Sequence, residues 1–212
     1  MADPIFPGKL RKNDDMFMNA ASQKLPFVHI YEQQTIEIVH GPSCRALDSE
    51  IFVDQCETDG VAITERRGGG GTVILSPGVL VVMVVGNKKN PREDAVEVFR
   101  RIHDHVITAL CKAGIDNAIH EGISDIAVDG KKILGSSLYM GSKPPLFYYQ
   151  SSLMVYNDTS LMDKYLRHPP REPNYRQGRG HNQFCTTLKK LNMPIDIREL
   201  AKLIESELKN HL

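Results

Sequence analysis

Two stretches of this chain carry residue types that could handle an anion. The first is Arg66-Arg67-Gly68-Gly69-Gly70-Gly71-Thr72. Four glycines in a row are conformationally expensive, because each loses more backbone freedom on folding than any other residue. That cost makes sense where bare backbone must approach a ligand and offer it N–H groups, with neighbouring arginines supplying charge. A flexible hairpin tip is the plainer alternative. The second stretch is ISDIAVDGKKILGSS (123–137), where Asp129-Gly130 is the favoured two-residue loop of a type I′ hairpin. The register pairs Val128 with Lys131, Ala127 with Lys132, Ile126 with Ile133 and Asp125 with Leu134. Alternation puts Ile126, Val128, Lys131 and Ile133 on one, mostly core, face and Asp125, Ala127, Lys132 and Leu134 on the other. Lys132 and Asp125 are then diagonal neighbours. Such a lysine can neutralise a carboxylate or phosphate, and such a carboxylate can hold Mg2+ against nucleotide phosphates. The alternative is a surface ion pair worth ~0–1 kcal/mol.

Other motifs point elsewhere. A dinucleotide-binding or P-loop glycine run opens a helix, whereas this one opens the strand-like TVILSPGVL. Gly130 to Ser137 has the glycine spacing of a P-loop but a serine where its lysine belongs. The eight histidines include no HExxH, and His103 and His105 fall in a helical pattern where i and i+2 point apart.

The elements that must position these residues read as strands in runs with helices between. Residues 13–25 begin with Asn and Asp, good N-caps, and suggest a short first helix. FVHIYE (27–32), TIEIVHG (35–41) and GVAITER (60–66) read as strands, and TVILSPGVLVVMVV (72–85) continues the sheet. Residues 91–113 form a helix with Pro91 in its first turn. Its apolar stripe of Ala95, Phe99, Ile102, Val106 and Leu110 packs on the sheet, and Gly114 ends it. More strands fall between Ala118 and Asn157, and 196–212 closes the chain as an amphipathic helix on Ile197, Leu200, Ile204 and Leu208. The pattern is α+β: a mixed, largely antiparallel sheet flanked by helices.

At 212 residues the chain suits one domain, 1–212. Lys+Arg 26 against Asp+Glu 26 leaves no basic excess to draw in nucleic acid or an anionic membrane. The greasiest run, GVLVVMVVG (78–86), falls short of the ~20 residues of a membrane span and reads as a buried strand. Cys44, Cys56, Cys111 and Cys185 form no CxxC pair and follow no secretory leader, so a reducing, cytoplasmic setting is expected without a disulfide framework or zinc site.

In order, these pieces resemble the lipoate protein ligase and octanoyltransferase family, relatives of biotin protein ligase. RRGGGGTVILSPGVL (66–80) resembles that family's RRxGGGTVxxxxGxL signature. DIAVDGKKILGS (125–136) is similar to its second signature, a hairpin whose lysine precedes Ile/Val-x-Gly-Ser. FYYQSSLMV (147–155), DTSLMDKYL (158–166) and HPPREPNYRQGRGHNQFCTTL (168–188) resemble the following strand, helix and adenylate-binding loop, so the likeness runs from about Asn13 to the last helix. The implied fold is the biotin and lipoate ligase catalytic domain, shared with class II aminoacyl-tRNA synthetases, with no C-terminal accessory domain. Departures are Gly68 where serine is common, Leu75 where histidine is common, and Tyr149-Gln150-Ser151 where His-His-Gly is common.

Carried over by position, the resemblance implies that Arg67, Gly69, Gly70, Gly71 and Thr72 line an acyl-adenylate pocket. Lys132 grips the activated carboxyl, Asp125 assists the metal or nucleotide, and Gly135, Ser136 and Ser137 let the strand pass close to the ligand. Val73 and Leu75 line the acyl tunnel, and Arg176 and Arg179 belong to a lid over the phosphates. The implied reaction uses ATP and Mg2+ to form lipoyl-AMP from lipoate, or the octanoyl equivalent. It then acylates a lysine of a lipoyl-domain protein such as glycine cleavage H protein or a 2-oxoacid dehydrogenase E2, with a separate accessory subunit as a further implied partner. Alternatives are a cysteine-dependent octanoyl or lipoyl transferase, for which Cys185 falls nearest the site, and a non-catalytic acyl-binding scaffold.

Overall fold

The computed structural model describes residues 11–193 and 195–212. In chain order the elements are α1 (Asp14–Ala21), β1 (Phe27–Glu32), β2 (Glu37–His40), α2 (Val53–Thr58), β3 (Ala62–Glu65), β4 (Val73–Leu75), β5 (Val79–Asn87), α3 (Ala95–Lys112), β6 (Ala118–Glu121), β7 (Asp125–Val128), β8 (Lys131–Met140), β9 (Leu146–Met154), α4 (Ser160–Tyr165), α5 (His181–Phe184) and α6 (Ile197–His211). The fold is α+β, as its alternation of strand runs and helices implied.

The strands form two sheets. A six-stranded, wholly antiparallel sheet runs β1-β5-β9-β8-β7-β6, and a three-stranded sheet runs β3-β2-β4 with β2 and β3 parallel. The segment 72–85, expected to continue one sheet, is divided between them. Gly78 at φ 87 and the bond from Val79 N to Ser76 O (3.0 Å) break it at Ser76-Pro77-Gly78. β4 therefore joins the small sheet while β5 becomes an inner strand of the large one.

β5 shows why its sequence is apolar without alternation. Leu80, Val82 and Val84 enter the core under α3 and α6, while Val79, Val81, Met83 and Val85 face α1 and the small sheet, packing with Phe17, Val39 and Leu75. A strand covered on both faces needs apolar residues at every position. A third cluster joins Ile38 and Ile74 of the small sheet to Ile51, Cys56, Met162 and Phe184 around α2, α4 and α5.

The helices start where their caps dictate. Pro91, expected in the first turn of α3, lies outside it: Asp94 accepts from Glu97 N and Glu97 from Asp94 N, both at 2.9 Å, and this capping box sets the start at Ala95. Gly114, at φ 84, ends it. Asp196 caps α6 by accepting from Arg198 and Glu199 N–H groups. Among the described residues no helix is long and apolar enough to cross a membrane.

The β7–β8 hairpin turns at Asp129 (φ 49) and Gly130 (φ 70), as a type I′ loop requires. Its first two pairs, Val128 with Lys131 and Ala127 with Lys132, match the expected register. A bulge then intervenes, so Ile126 faces Leu134 and Asp125 faces Gly135. The bulge lets the consecutive apolar residues Ile133 and Leu134 both reach the helix-side core with Ile126 and Val128, so Leu134 is not on the face of Lys132.

Candidate functional site

The site lies between the large sheet's open face and the small sheet, in a cavity of about 780 Å3. At one end the bulge has put Gly135 opposite Asp125, and the Lys132 side chain folds over that glycine. A Cβ on Gly135 would stand 2.6 Å from Lys132 Nζ, so the amine occupies space that only glycine leaves open. Lys132 Nζ meets Asp125 Oδ1 at 2.8 Å, and Tyr175 donates its hydroxyl to Asp125 Oδ2 at 2.9 Å. Burial, then the Asp125 charge, push the Tyr175 phenol well above its usual range, which keeps it a donor. The lysine side chain retains about a fifth of its exposure and lines the cavity, while the carboxylate it pairs with is buried.

The glycine turn forms the neighbouring wall. Arg66, not Arg67, is threaded through it: Nη1 donates to Val39 O (3.0 Å), and Nη2 to Gly69 O (3.0 Å) and Gly71 O (2.7 Å). Three carbonyls on one guanidinium hold a segment that would otherwise be a flexible tip. Burial pushes this guanidinium down to about 10, with Glu50 acting the other way, so it is charged at neutral pH. Glu50 holds the exit of the turn by accepting from Thr72 N (3.0 Å) and Thr72 Oγ1 (2.5 Å). Gly68 backs onto β8, where a Cβ would stand 2.9 Å from Ser137 Oγ and 3.1 Å from Leu138 N, so the serine common in the family at this position would crowd that strand. The turn thus touches the strand that carries Gly135 and the Lys132 amine.

Of the residues expected at the site, Lys132, Asp125, Gly70, Gly71, Thr72, Val73, Leu75, Gly135, Ser136, Ser137 and Arg176 line this cavity. Three do not. Arg67 turns away into a buried bidentate ion pair with Asp14 (Nη2–Oδ2 2.6 Å, Nε–Oδ1 2.9 Å), tying the turn to α1. Gly69 points its carbonyl at Arg66. Arg179 braces the lid loop by donating to Tyr175 O (2.6 Å) and Gly130 O (3.1 Å). Sequence reasoning passed over Glu50 and Tyr175, which follow no motif, and chose Arg67 over Arg66 because alternation along a strand separates two adjacent arginines without saying which side is the pocket.

Apolar side chains of Val39, Val79 and Val81 continue the cavity beyond Val73 and Leu75, and Tyr31, Asn13 and Lys12 stand at its margin. The loop between α4 and α5 lines the cavity through Arg171, Glu172, Tyr175 and Arg176. Glu172 accepts from Gly178 N (2.7 Å), and Arg176, buried against the Phe184 ring, donates to Arg179 O (2.9 Å). Its Nη2 is buried and lacks a hydrogen-bond partner. Cys185 lines the cavity and bridges to Lys132, whose carbonyl accepts from Thr186 N (2.9 Å). Burial pushes its thiol up, with Lys132 and Arg176 pulling the other way.

A lysine over a glycine, facing an arginine-held polyglycine turn across a half-apolar cavity, is suited to a carboxylate with an apolar tail and a phosphate beside it. The sequence pattern of the lipoyl protein ligase A/B catalytic domain matches residues 12–209. The chain belongs to that family. Membership places it among ligase and transferase enzymes. Lipoyl ligase folds known from solved structures match it over most of its length. The bipartite lipoate protein ligase from Thermoplasma acidophilum, described with its E2 lipoyl domain, is 18% identical with a TM-score of 0.77, over 93% of this chain and 76% of that one. A lipoate-protein ligase A bound with ATP is 17% identical with a TM-score of 0.76, over 94% and 77%. P. falciparum LipL1 in complex with lipoate is 18% identical with a TM-score of 0.69, over 87% and 47%. No protein of curated function matches the sequence.

Proposed function

We propose that the chain activates lipoate, or octanoate, with ATP as an acyl-AMP and passes the acyl group to a lysine of a lipoyl-domain protein. The observation that carries this reading is the meeting of the Lys132 amine and the Arg66-held glycine turn on one cavity. In this reading Val73, Leu75, Val79 and Val81 enclose the acyl chain, and a cavity of about 780 Å3 suits a nucleoside monophosphate joined to an eight-carbon acid. Lys132 neutralises the carboxylate as it attacks the α-phosphate and displaces pyrophosphate, and the N–H groups of Gly70 and Gly71 and the unpaired Nη2 of Arg176 receive the charge that gathers on the phosphoryl oxygens. Gly135, Ser136 and Ser137 supply the floor. AMP then leaves readily because its phosphate is acidic. Arg67 and Arg179 act indirectly, by fixing the glycine turn and the lid.

Mg2+ fits as an ion held mainly through ATP. Among the described residues no cluster of three His, Cys, Asp or Glu side chains forms a protein-only site, and Asp125, on the cavity wall beside Lys132, offers a carboxylate of the kind a phosphate-bound Mg2+ takes one or two of. Bound there, the ion would neutralise phosphate charge. The ATP-bound and lipoate-bound relatives support the choice of substrates, and the bipartite relative supports a lipoyl-domain acceptor and a separate accessory subunit.

The test is the intact mass of a recombinant lipoyl domain after incubation with this protein and Mg-ATP plus lipoate. A gain of one lipoyl group that requires ATP is expected, and Lys132→Met should lower the rate ~100-fold or more. One observation favours a second reading: Cys185 lines the cavity beside Lys132, as the nucleophile of an octanoyl transferase would. ATP-independent transfer from octanoyl carrier protein, lost in Cys185→Ala, would establish that reading and overturn the first. Binding with neither product would leave an acyl-binding scaffold.

A further inference from the structure

We propose that His181, oriented by Asp163, is the general base that takes a proton from the acceptor lysine during acyl transfer. This rests on the ligase reading above and adds a group to it. An ε-ammonium has an ordinary pKa near 10.4, so at neutral pH its lone pair is unavailable until a proton is removed. Lys132 is already engaged by Asp125 at 2.8 Å and, in the ligase reading, by the activated carboxyl, so the site needs another base at its wall.

His181 stands there. It opens α5, lines the same cavity as Lys132, and its side chain keeps 12% of its exposure. Nδ1 lies 3.4 Å from Asp163 Oδ1, and Asn182 donates its amide to Asp163 Oδ2, which holds the carboxylate in place. With Nδ1–H turned to Asp163, Nε2 carries the free lone pair. The link to the reacting end is short in backbone terms. Cys185 N donates to His181 O at 2.7 Å, and Cys185 bridges directly to Lys132. His181 is therefore one helical turn from the residue that pairs with the carboxylate-gripping lysine.

The groups facing the imidazole are Asp163 of α4 and Arg176 and His168 of the lid loop. Burial, then Arg176, hold its proton affinity below the ordinary histidine value, with Asp163 acting the other way, so the ring is neutral at pH 7. In the step itself Nε2 takes one proton from the acceptor ammonium and the lone pair so freed bonds to the acyl carbon. The second proton, left on the nitrogen once that bond has formed, goes to water at the cavity mouth and gives the neutral amide. The acyl C–O bond to AMP breaks with its electrons on the phosphate oxygen, and the imidazolium returns its proton to water at the cavity mouth.

The experiment supplies synthetic lipoyl-AMP, which bypasses activation, and compares two acceptors: the lipoyl domain, and hydroxylamine, which is largely unprotonated at pH 7 and attacks without a base. His181→Asn should reduce the lipoyl-domain rate relative to the hydroxylamine rate at least ~10-fold at pH 7. It should also remove the imidazole inflection from the pH–rate profile. Asp163→Asn, at an exposed position, should shift that inflection. An equal loss with both acceptors, or an unchanged pH profile in either variant, overturns the proposal. Failure of the unmodified protein to transfer to either acceptor overturns the ligase reading instead, and the base with it.

Discussion

His103 is fully buried between α3 and the large sheet yet keeps both ring nitrogens engaged, with His120 Nδ1 at 2.8 Å and Ser136 Oγ at 3.1 Å. The Ser136 hydroxyl donates to Ser124 O (2.7 Å), so its oxygen accepts from His103 Nε2–H. Nδ1 of His103 must then accept from His120. Charging His103 would put a second proton on Nδ1 and break that contact, and burial, His120 and Lys132 together hold it down to about 3 from an ordinary 6.5. The unfolded chain therefore binds a proton below about pH 6.5 that the folded chain refuses. The contribution is complete above that pH and is lost as pH falls from 6.5 toward 3, at up to ~1.4 kcal/mol per unit. Urea midpoints of the native protein and His103→Gln at pH 7.5, 6, 5 and 4 should diverge from parallel, the native protein losing more. Parallel curves would show that His103 does not carry this dependence. The same side chain ties α3 to Ser136 at the site's floor, a link that no motif announced.

At the level of elements, two glycines separate function from stability. Ala at Gly135 would place its Cβ 2.6 Å from Lys132 Nζ and 2.7 Å from Cε, the movable end of a side chain. The lysine can swing away, so Gly135→Ala should cost under ~1 kcal/mol of stability while lowering kcat/KM roughly 10- to 100-fold by displacing the amine from Asp125. Ala at Gly41 meets the Gly70 carbonyl oxygen at 2.3 Å, which is backbone and cannot swing. Gly41→Ala should cost ~1–3 kcal/mol and loosen the turn that Arg66 holds. Thermal melts set beside steady-state kinetics decide both. Equal stability losses in the two variants would contradict the distinction.

The molecule as a whole divides its work between the faces of one sheet. The face under α3 and α6 is a continuous apolar core that includes Leu200, Ile204 and Leu208, all fully buried. The opposite face meets the small sheet and α1 only in part, and the gap between them is the cavity. Ile204→Ala should therefore cost ~2–5 kcal/mol and leave kcat/KM of the folded fraction within about twofold, read by chemical denaturation and by acylation at a temperature where the variant is folded. A large loss of activity without loss of stability would mean the two faces are coupled.

The alternation of strands and helices, the Asp-Gly turn, the apolar faces of α3 and α6 and the pairing of Lys132 with Asp125 were all legible in the residues, because each follows from local geometry and a repeat of 2 or 3.6 residues. The split of 72–85 between two sheets was not, since a strand's partners lie far away in sequence and β5 carries no alternation to mark a side. Nor was the bulge at Ile133, which depends on core space for Leu134. Which arginine enters the pocket was settled by what stands on each side: Asp14 of α1 draws Arg67 one way, and the carbonyls of Val39, Gly69 and Gly71 draw Arg66 the other. Local rules determined that a lysine, a carboxylate and a glycine turn would exist; only packing at long range brought them to one cavity and chose their companions.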